Sequence, residues 1–272
     1  MCYPMAKNRI IEGEPFMWNI DIHRAQKAFY KYTEGFPEAE ERIDQKIQHS
    51  VRVSGWSRNI ASAIGADLED ISLATVIGLI HDIGRFEQYM TYGTYIDRQS
   101  EDHAAIGVRV LFEEGLIREF IETEGYDQII KESIIHHNAY ELPSGLENRV
   151  LMHCKLVRDS DKIDNLYVKQ FETFEALFGR DDISDEPISE KIIREFQLHK
   201  LIKHTDTLTN MDTWIKYVAF HFGLYYGASL KMAYDGDYGD KMLDRVSGNS
   251  ATQAIRTSLH SFFKAKLSGF DL

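Results

Sequence analysis

Cysteine is nearly absent: two in 272 residues, Cys2 near the start and Cys154 in a helix-like stretch. Two thiols so placed cannot form a disulfide framework, so the core alone must hold the fold, and a reducing, cytoplasmic setting is expected. Cys154 reads simply as core. Proline is scarce, at 5, and no repeat or low-complexity tract breaks the chain. No window reaches the roughly 18 apolar residues of a membrane span. The opening MCYPMAKNRIIEGEP lacks the apolar run of a signal peptide, so no membrane partner is expected. Positive charge is also short: 31 Lys and Arg against 43 Asp and Glu give a formal charge of −12. Such a surface repels polyanions, which argues against long nucleic acid as a partner. A small phosphorylated substrate remains compatible, because a bound metal reverses the potential locally.

What is present is helical periodicity. The hydrophobic content of 43% suffices for a full core, and apolar residues recur at three- and four-residue spacing. The spacing predicts an all-α helical bundle with additional C-terminal helices. One helix is expected over Ile43–Ile64, with Ile47, Val51, Ser54 and Ile60 or Ala61 inward, and a second over Ile71–Ile83, ending at Gly84. Arg85–Glu101, rich in Tyr, Gly and Asp, reads as a loop of the kind that lines sites. Further helices are expected at Asp102–Glu114, Tyr126–His137, Leu146–Lys169, Glu190–Leu201, Met211–Tyr234 and Asn249–Lys266. The charged, turn-prone GRDDISDEP at Gly179–Pro187 is the candidate seam within a single 1–272 domain, between a core of about 38–170 and a lobe of about 188–272.

One segment conflicts with its own pattern. ISLATVIGLIHDIG is apolar almost throughout, hence buried, yet His81 and Asp82 stand together at its end. A buried carboxylate must be paired or bound to a metal. The plainer alternative is that the pair caps the helix, where a cationic imidazole suits the dipole.

Five stretches, KIQHSVRV, GLIHDIGRFEQ, EDHAAIGVRVL, SIIHHNAYELP and VRDSDKIDNL, occur in one order over Ile43–Val168. Together they resemble the HD superfamily of metal-dependent phosphohydrolases. The resemblance implies His49, His81, Asp82 and Asp161 as ligands of a first metal. Two imidazoles and two carboxylates suit Mn, Fe, Co, Ni or Zn, whereas Mg prefers oxygen alone. Four protein ligands in an octahedral site leave two positions for water and substrate. Among the acids of RDSDKID the family pattern favours Asp161; Asp164, at i+3, reads as a supporting partner or an outward charge, and Asp159 as a cap or a solvated group.

In two-metal members further histidines follow the doublet. His103 fits the first such place, against the reading of an ordinary helix-start residue. Both His136 and His137 are available for the second, and the resemblance favours His137, because the family pattern puts the ligand three residues after an isoleucine, here Ile134, and just before Asn138; either could instead serve a helix C-terminus. The site then holds one or two divalent ions, with Asp82 shared between them. Arg85 occupies the place of a phosphate-contacting cation, against the reading of an exposed loop arginine. Lys162 is a second candidate, and Arg52 and Arg109 are weaker ones.

The expected reaction is hydrolysis of a phosphoester or phosphoanhydride of a small phosphorylated metabolite or nucleotide by metal-activated water, with Asp82, Arg85 and Lys162 taking part. The rival readings are a di-iron oxygenase on the same scaffold and a non-catalytic metal-binding or sensor module. The aromatic stretch WIKYVAFHFGLYYGASL, with Trp214, Tyr217, Phe220, Tyr225 and Tyr226, reads as core before substrate contact, and His221 as a satisfied core histidine. A homodimer is the commonest arrangement for a soluble enzyme of this size.

Overall fold

The structure, a computed structural model, describes residues 20–36 and 41–268. Cys2 and the opening segment lie outside these residues, as does the start of the expected core at 38. Among the described residues all regular structure is helical, with no strand. None of the helices is long and apolar enough to cross a membrane.

In chain order the helices are α1 Ile22–Thr33, α2 Glu41–Ala63, α3 Leu68–Ile80, α4 Gly84–Tyr92, α5 His103–Val108, α6 Ile117–Phe120, α7 Asp127–Ile135, α8 Asn148–Val168, α9 Phe174–Phe178, α10 Glu190–Gln197, α11 Asn210–Val218, α12 Gly227–Asp235, α13 Tyr238–Asp244 and α14 Thr252–Lys266. A π-turn, Arg109–Glu113, continues α5.

α3 is the centre of the molecule, and its composition explains why. Asp67 caps its first turn, accepting from the Asp70 amide at 2.8 Å, and every residue from Leu73 to Ile80 is buried. A helix apolar all round has no solvent face and must be enclosed. Two hydrophobic clusters enclose this one. Phe29, Ile43, Leu73, Ile77, Ile80, Phe86, Ile130 and Val157 belong to the first. The second is built from the C-terminal helices, with Phe196, Met211, Trp214, Ile215 and Leu259, and takes in Ile60 and Ala61 of α2, Ala74 of α3 and Ile163 of α8. The spine α2–α3–α8 thus belongs to both clusters. Ile183 and Ile188, in and beside the charged seam segment, are themselves buried in the second one.

Close approach along the spine depends on glycine at two places. A Cβ on Gly78 would lie 2.6 Å from Ser57 Oγ and 2.9 Å from the Val53 carbonyl, so α3 can meet α2 only without one. A Cβ on Gly84 would lie 2.2 Å from the His103 carbonyl oxygen and 2.5 Å from the Gly107 amide. That contact sets the start of α4 against α5, and so sets Asp82 beside His103.

Several expected elements are corrected. Val51 is 38% exposed and does not face inward, whereas Ser54, Ile60 and Ala61 do, joined by Ile43, Ser50, Val53 and Ser57, and Ile47 packs partly buried against the first cluster. α3 stops at Ile80, a three-residue turn of His81, Asp82 and Ile83 follows, and Gly84–Tyr92 is helix where a loop was expected. Phe86 and Gln88 are buried and hold that segment helical against the core. The expected Met211–Tyr234 helix is broken between α11 and α12, because the amides of Tyr225 and Tyr226 donate to the Asp159 carboxylate at 2.9–3.0 Å instead of continuing a helical ladder. Asp159 is accordingly wholly buried and not solvated. α1, α6, α9 and α13 have no counterpart among the expected elements.

Candidate metal centre

The side chains of His49 (α2), His81 and Asp82 (the α3–α4 turn), His103 (the first residue of α5), His137 (just past α7) and Asp161 (α8) come together on the spine. All but Asp161 are less than one-tenth exposed as residues. The Asp161 side chain is a quarter exposed.

The orientation of the four imidazoles is set from behind. His49 Nδ1 donates to Asp164 Oδ2 at 2.7 Å, and His81 Nδ1 to the Gly78 carbonyl at 2.8 Å. His103 Nδ1 donates to Asp97 Oδ1 at 2.9 Å, and His137 Nδ1 to the Ile134 carbonyl at 2.7 Å. A carbonyl or carboxylate partner fixes the proton on Nδ1, so each neutral ring presents the Nε2 lone pair forward. Those four lone pairs point at one carboxylate.

Asp82 divides its two oxygens between two pairs of histidines. Its Oδ2 lies 3.7 Å from His49 Nε2 and 3.9 Å from His81 Nε2. Its Oδ1 lies 3.3 Å from His103 Nε2 and 3.5 Å from His137 Nε2. Asp161 Oδ1 closes the first half, 3.2 Å from His49 Nε2 and 3.9 Å from His81 Nε2. The ligand atoms of His49, His81 and Asp82, and separately those of Asp82, His103 and His137, lie within 4.8 Å of one another.

Two features show that these residues fit a cation. His81 Nε2 is buried with no hydrogen-bond partner, which is costly for an acceptor shielded from water. His103 Nε2 and His137 Nε2 stand 3.0 Å apart, although both rings already hold their proton on Nδ1. Two facing lone pairs repel unless a positive charge lies with them. Neutral nitrogen and carboxylate oxygen together make a donor set for a divalent transition metal.

The electrostatics agree at Asp82, Asp161 and His81, whereas at His49 they favour the proton. Burial would raise the Asp82 carboxyl, but the charges of Lys46 and His81 outweigh it and hold the group well below the usual carboxylate range. Asp161 is likewise held low, its burial overcome by His49. Burial pushes His81 down to about 4, keeping it a neutral donor. For His49 burial acts downward, but hydrogen bonding to Asp161 and Asp164 prevails and raises it.

Other expected residues fall into different places. His136 is half-buried, 3.1 Å from Glu132, and does not join the cluster. Arg85 Nε lies 3.7 Å from Asp82 Oδ1 without a hydrogen bond of its own, while Nη1 donates to Gln88 Oε1 and Asp97 Oδ1. Lys162 is buried and donates to the Arg158 carbonyl at 3.4 Å; the structure does not bring its ammonium among the cluster atoms. Arg52 is spent on Asp164, with Nε 2.7 Å from Oδ1. Arg109 pairs with Glu87 and Glu114. Asp164 is fully buried between His49 and Arg52, so of its two readings the structure shows the supporting one.

Two residues were missed. Lys46 Nζ donates to Asp82 Oδ2 at 2.9 Å; its place one turn before His49 on the same helix is a signal that was available. Asp97 orients His103 and also receives Arg85. It sits in an irregular stretch where no periodicity marks it.

In the C-terminal helices Trp214 is core, its Nε1 donating to the Met242 carbonyl. His221 is wholly buried with Nδ1 on the Val218 carbonyl. Tyr225 is 43% exposed, so that part of the aromatic stretch is surface.

Residues 47–167 match the family model of the HD domain. No curated protein and no solved structure matches the chain. The HD match ends at the last turn of α8, so α9–α14 lie beyond it. The matched stretch, residues 47–167, is similar to a domain found in metal-dependent hydrolases, and the buried His/Asp cluster of this chain is able to hold a divalent metal.

Proposed function

We propose that this protein hydrolyses a phosphoester or phosphoanhydride of a small phosphorylated metabolite or nucleotide at this centre. The observation that carries the reading is the divided carboxylate of Asp82, with one oxygen toward His49 and His81 and the other toward His103 and His137. His49, His81, Asp82 and Asp161 would hold one cation, and Asp82, His103 and His137 a second. Bound there, such ions supply Lewis acidity: they lower the pKa of a water and polarise the phosphoryl oxygen.

The protein's own residues do the rest. Asp82, held ionised and central, orients the attacking water, whose proton passes to solvent on the open side of the site. Arg85 and Lys46, on opposite oxygens of Asp82, bring positive charge to where the phosphoryl group develops negative charge. Asp97 and Asp164 keep the His103 and His49 rings in register. The part-exposed Asp161 marks the open side, where substrate enters.

The test is to purify the parent protein and Asp82→Ala and screen both against phosphorylated metabolites with Mn, Co or Ni. Phosphate release by the parent alone is expected; equal activity in both ends the proposal. An iron-loaded protein that consumes O2 and releases no phosphate would instead establish the oxygenase reading.

A further inference from the structure

Arg158 of α8 is 1% exposed and carries its charge into the core. Among the described residues no carboxylate comes within ion-pair distance of its guanidinium, and its buried Nε has no hydrogen-bond partner. An arginine buried without an acid is costly, and only the groups its fork reaches offset that cost. Those groups are main-chain carbonyls of a single turn. Nη1 donates to the His136 carbonyl at 2.7 Å and to that of His137 at 3.3 Å, and Nη2 donates to the Tyr140 carbonyl at 3.3 Å.

That turn carries a side chain of the metal centre. It follows the C-terminal end of α7, where carbonyls lack helical partners and bear partial negative charge. Its own main-chain bonds are long: the His137 amide donates to the Ile134 carbonyl and the Ala139 amide to the His136 carbonyl, both at 3.4 Å. Asn138 Nδ2 adds a bond at 2.8 Å to Asp102 Oδ1, the cap of the helix that His103 opens. Arg158 joins three carbonyls of the turn at once and ties them to α8, the helix that also bears Asp161. Held so, His137 Nε2 stands 3.5 Å from Asp82 Oδ1 and 3.0 Å from His103 Nε2.

The C-terminal helices cover this arginine. Its Cζ lies 5.8 Å from the ring centroid of Tyr225, whose amide donates to the neighbouring Asp159. We infer that Arg158 is a positioning residue for the His103–His137 half of the metal centre. It acts through the main chain of His137 and fixes where that Nε2 stands, while Tyr225, beyond the HD match, holds the guanidinium in place. The inference rests on the two-cation part of the reading above and gives the C-terminal helices a role in the centre. A planar fork spans all three carbonyls, which a single ammonium does not.

The probe is Co(II) alone, titrated into the full chain after EDTA treatment and followed by calorimetry and visible absorption. The parent should take up two equivalents, and His137→Ala marks which phase belongs to the His103–His137 half. Arg158→Met should bind that ion at least ten-fold more weakly, with the other ion within about three-fold of the parent. Added to His137→Ala, it should change the affinity of the remaining ion by less than about two-fold. Arg158→Lys, charged but without the fork, should lose less than Arg158→Met. Tyr225→Leu should weaken the same ion alone, by roughly two- to five-fold. Weakening of both ions alike, as a loosened core would give, or parent-like binding of both by Arg158→Met, overturns the inference. Arg158→Gln serves the same comparison if the Met variant does not fold. A parent that takes up a single equivalent overturns the two-cation reading, and the inference with it.

Discussion

His81 and His221 have the same local structure and opposite surroundings. Each is wholly buried, each donates Nδ1 to the carbonyl three residues earlier, at 2.8 Å to Gly78 and 2.7 Å to Val218, and each has an Nε2 without a partner. Burial lowers both to about 4. What differs is what Nε2 faces. His81 looks toward Asp82 and Asp161, each at 3.9 Å, with the His49 and His137 rings beside it at 5.1 and 5.2 Å. His221 packs on Phe263 and against Gly239. An orphaned buried imidazole is therefore no metal ligand by itself; convergence of several donors makes one.

The comparison can be broken in a graded way. His81→Ala should have the largest effect, with a loss of at least 10³-fold in phosphate release and a fall in bound metal measured by plasma emission, since it removes a donor and opens a cavity at once. Asp164→Asn should come next. Removing the charge that orients His49 should weaken metal affinity by roughly 10- to 100-fold, as titration with Co or Mn would read.

Two glycines, Gly84 three residues after His81 and Gly239 against His221, give a stability contrast. At Gly84 an added methyl meets the His103 carbonyl and the Gly107 amide, neither able to yield. At Gly239 the first obstacle is the Leu259 side chain at 2.4 Å, which can rotate. Gly84→Ala should cost about 3 kcal/mol in denaturant unfolding and Gly239→Ala about 1 kcal/mol, spanning the usual range for overpacking.

The smallest effect at neutral pH belongs to His221→Leu, with activity expected within two-fold of the parent. Its signature is in acid. The pKa of His221 is lower folded than unfolded, so the unfolded chain binds the extra proton first. The stability this residue allows is intact above about 6.5 and is lost as pH falls toward about 4. Thermal melts across that window should show a shallower acid decline in His221→Leu; identical slopes would refute the assignment.

Much of the centre was legible because its residues violate the pattern around them. His81 and Asp82 end a helix that is apolar almost throughout, so a reader of the sequence meets a charge where burial is certain. His49, His103 and Asp161 followed from ordered motifs. Lys46 and Asp97 did not stand out: a lysine on an amphipathic helix and an aspartate in a turn-rich stretch look like ordinary surface, and only their approach to Asp82 and His103 gives them a role. Val51 was misassigned because α2 turns its small polar residues Ser50, Ser54 and Ser57 inward to let α3 come close at Gly78, which reverses the usual apolar rule.

By itself, the sequence determined the helical class, the enclosed α3 and the kinds of donor available, because periodicity and residue chemistry are local properties. Tertiary structure decided which histidine of the His136–His137 pair turns to the cluster, how Asp82 shares its two oxygens, and where Asp159 breaks α11 from α12. Each depends on the packing of helices far apart in the chain, where a rotation of one residue carries a side chain about 100° from its place.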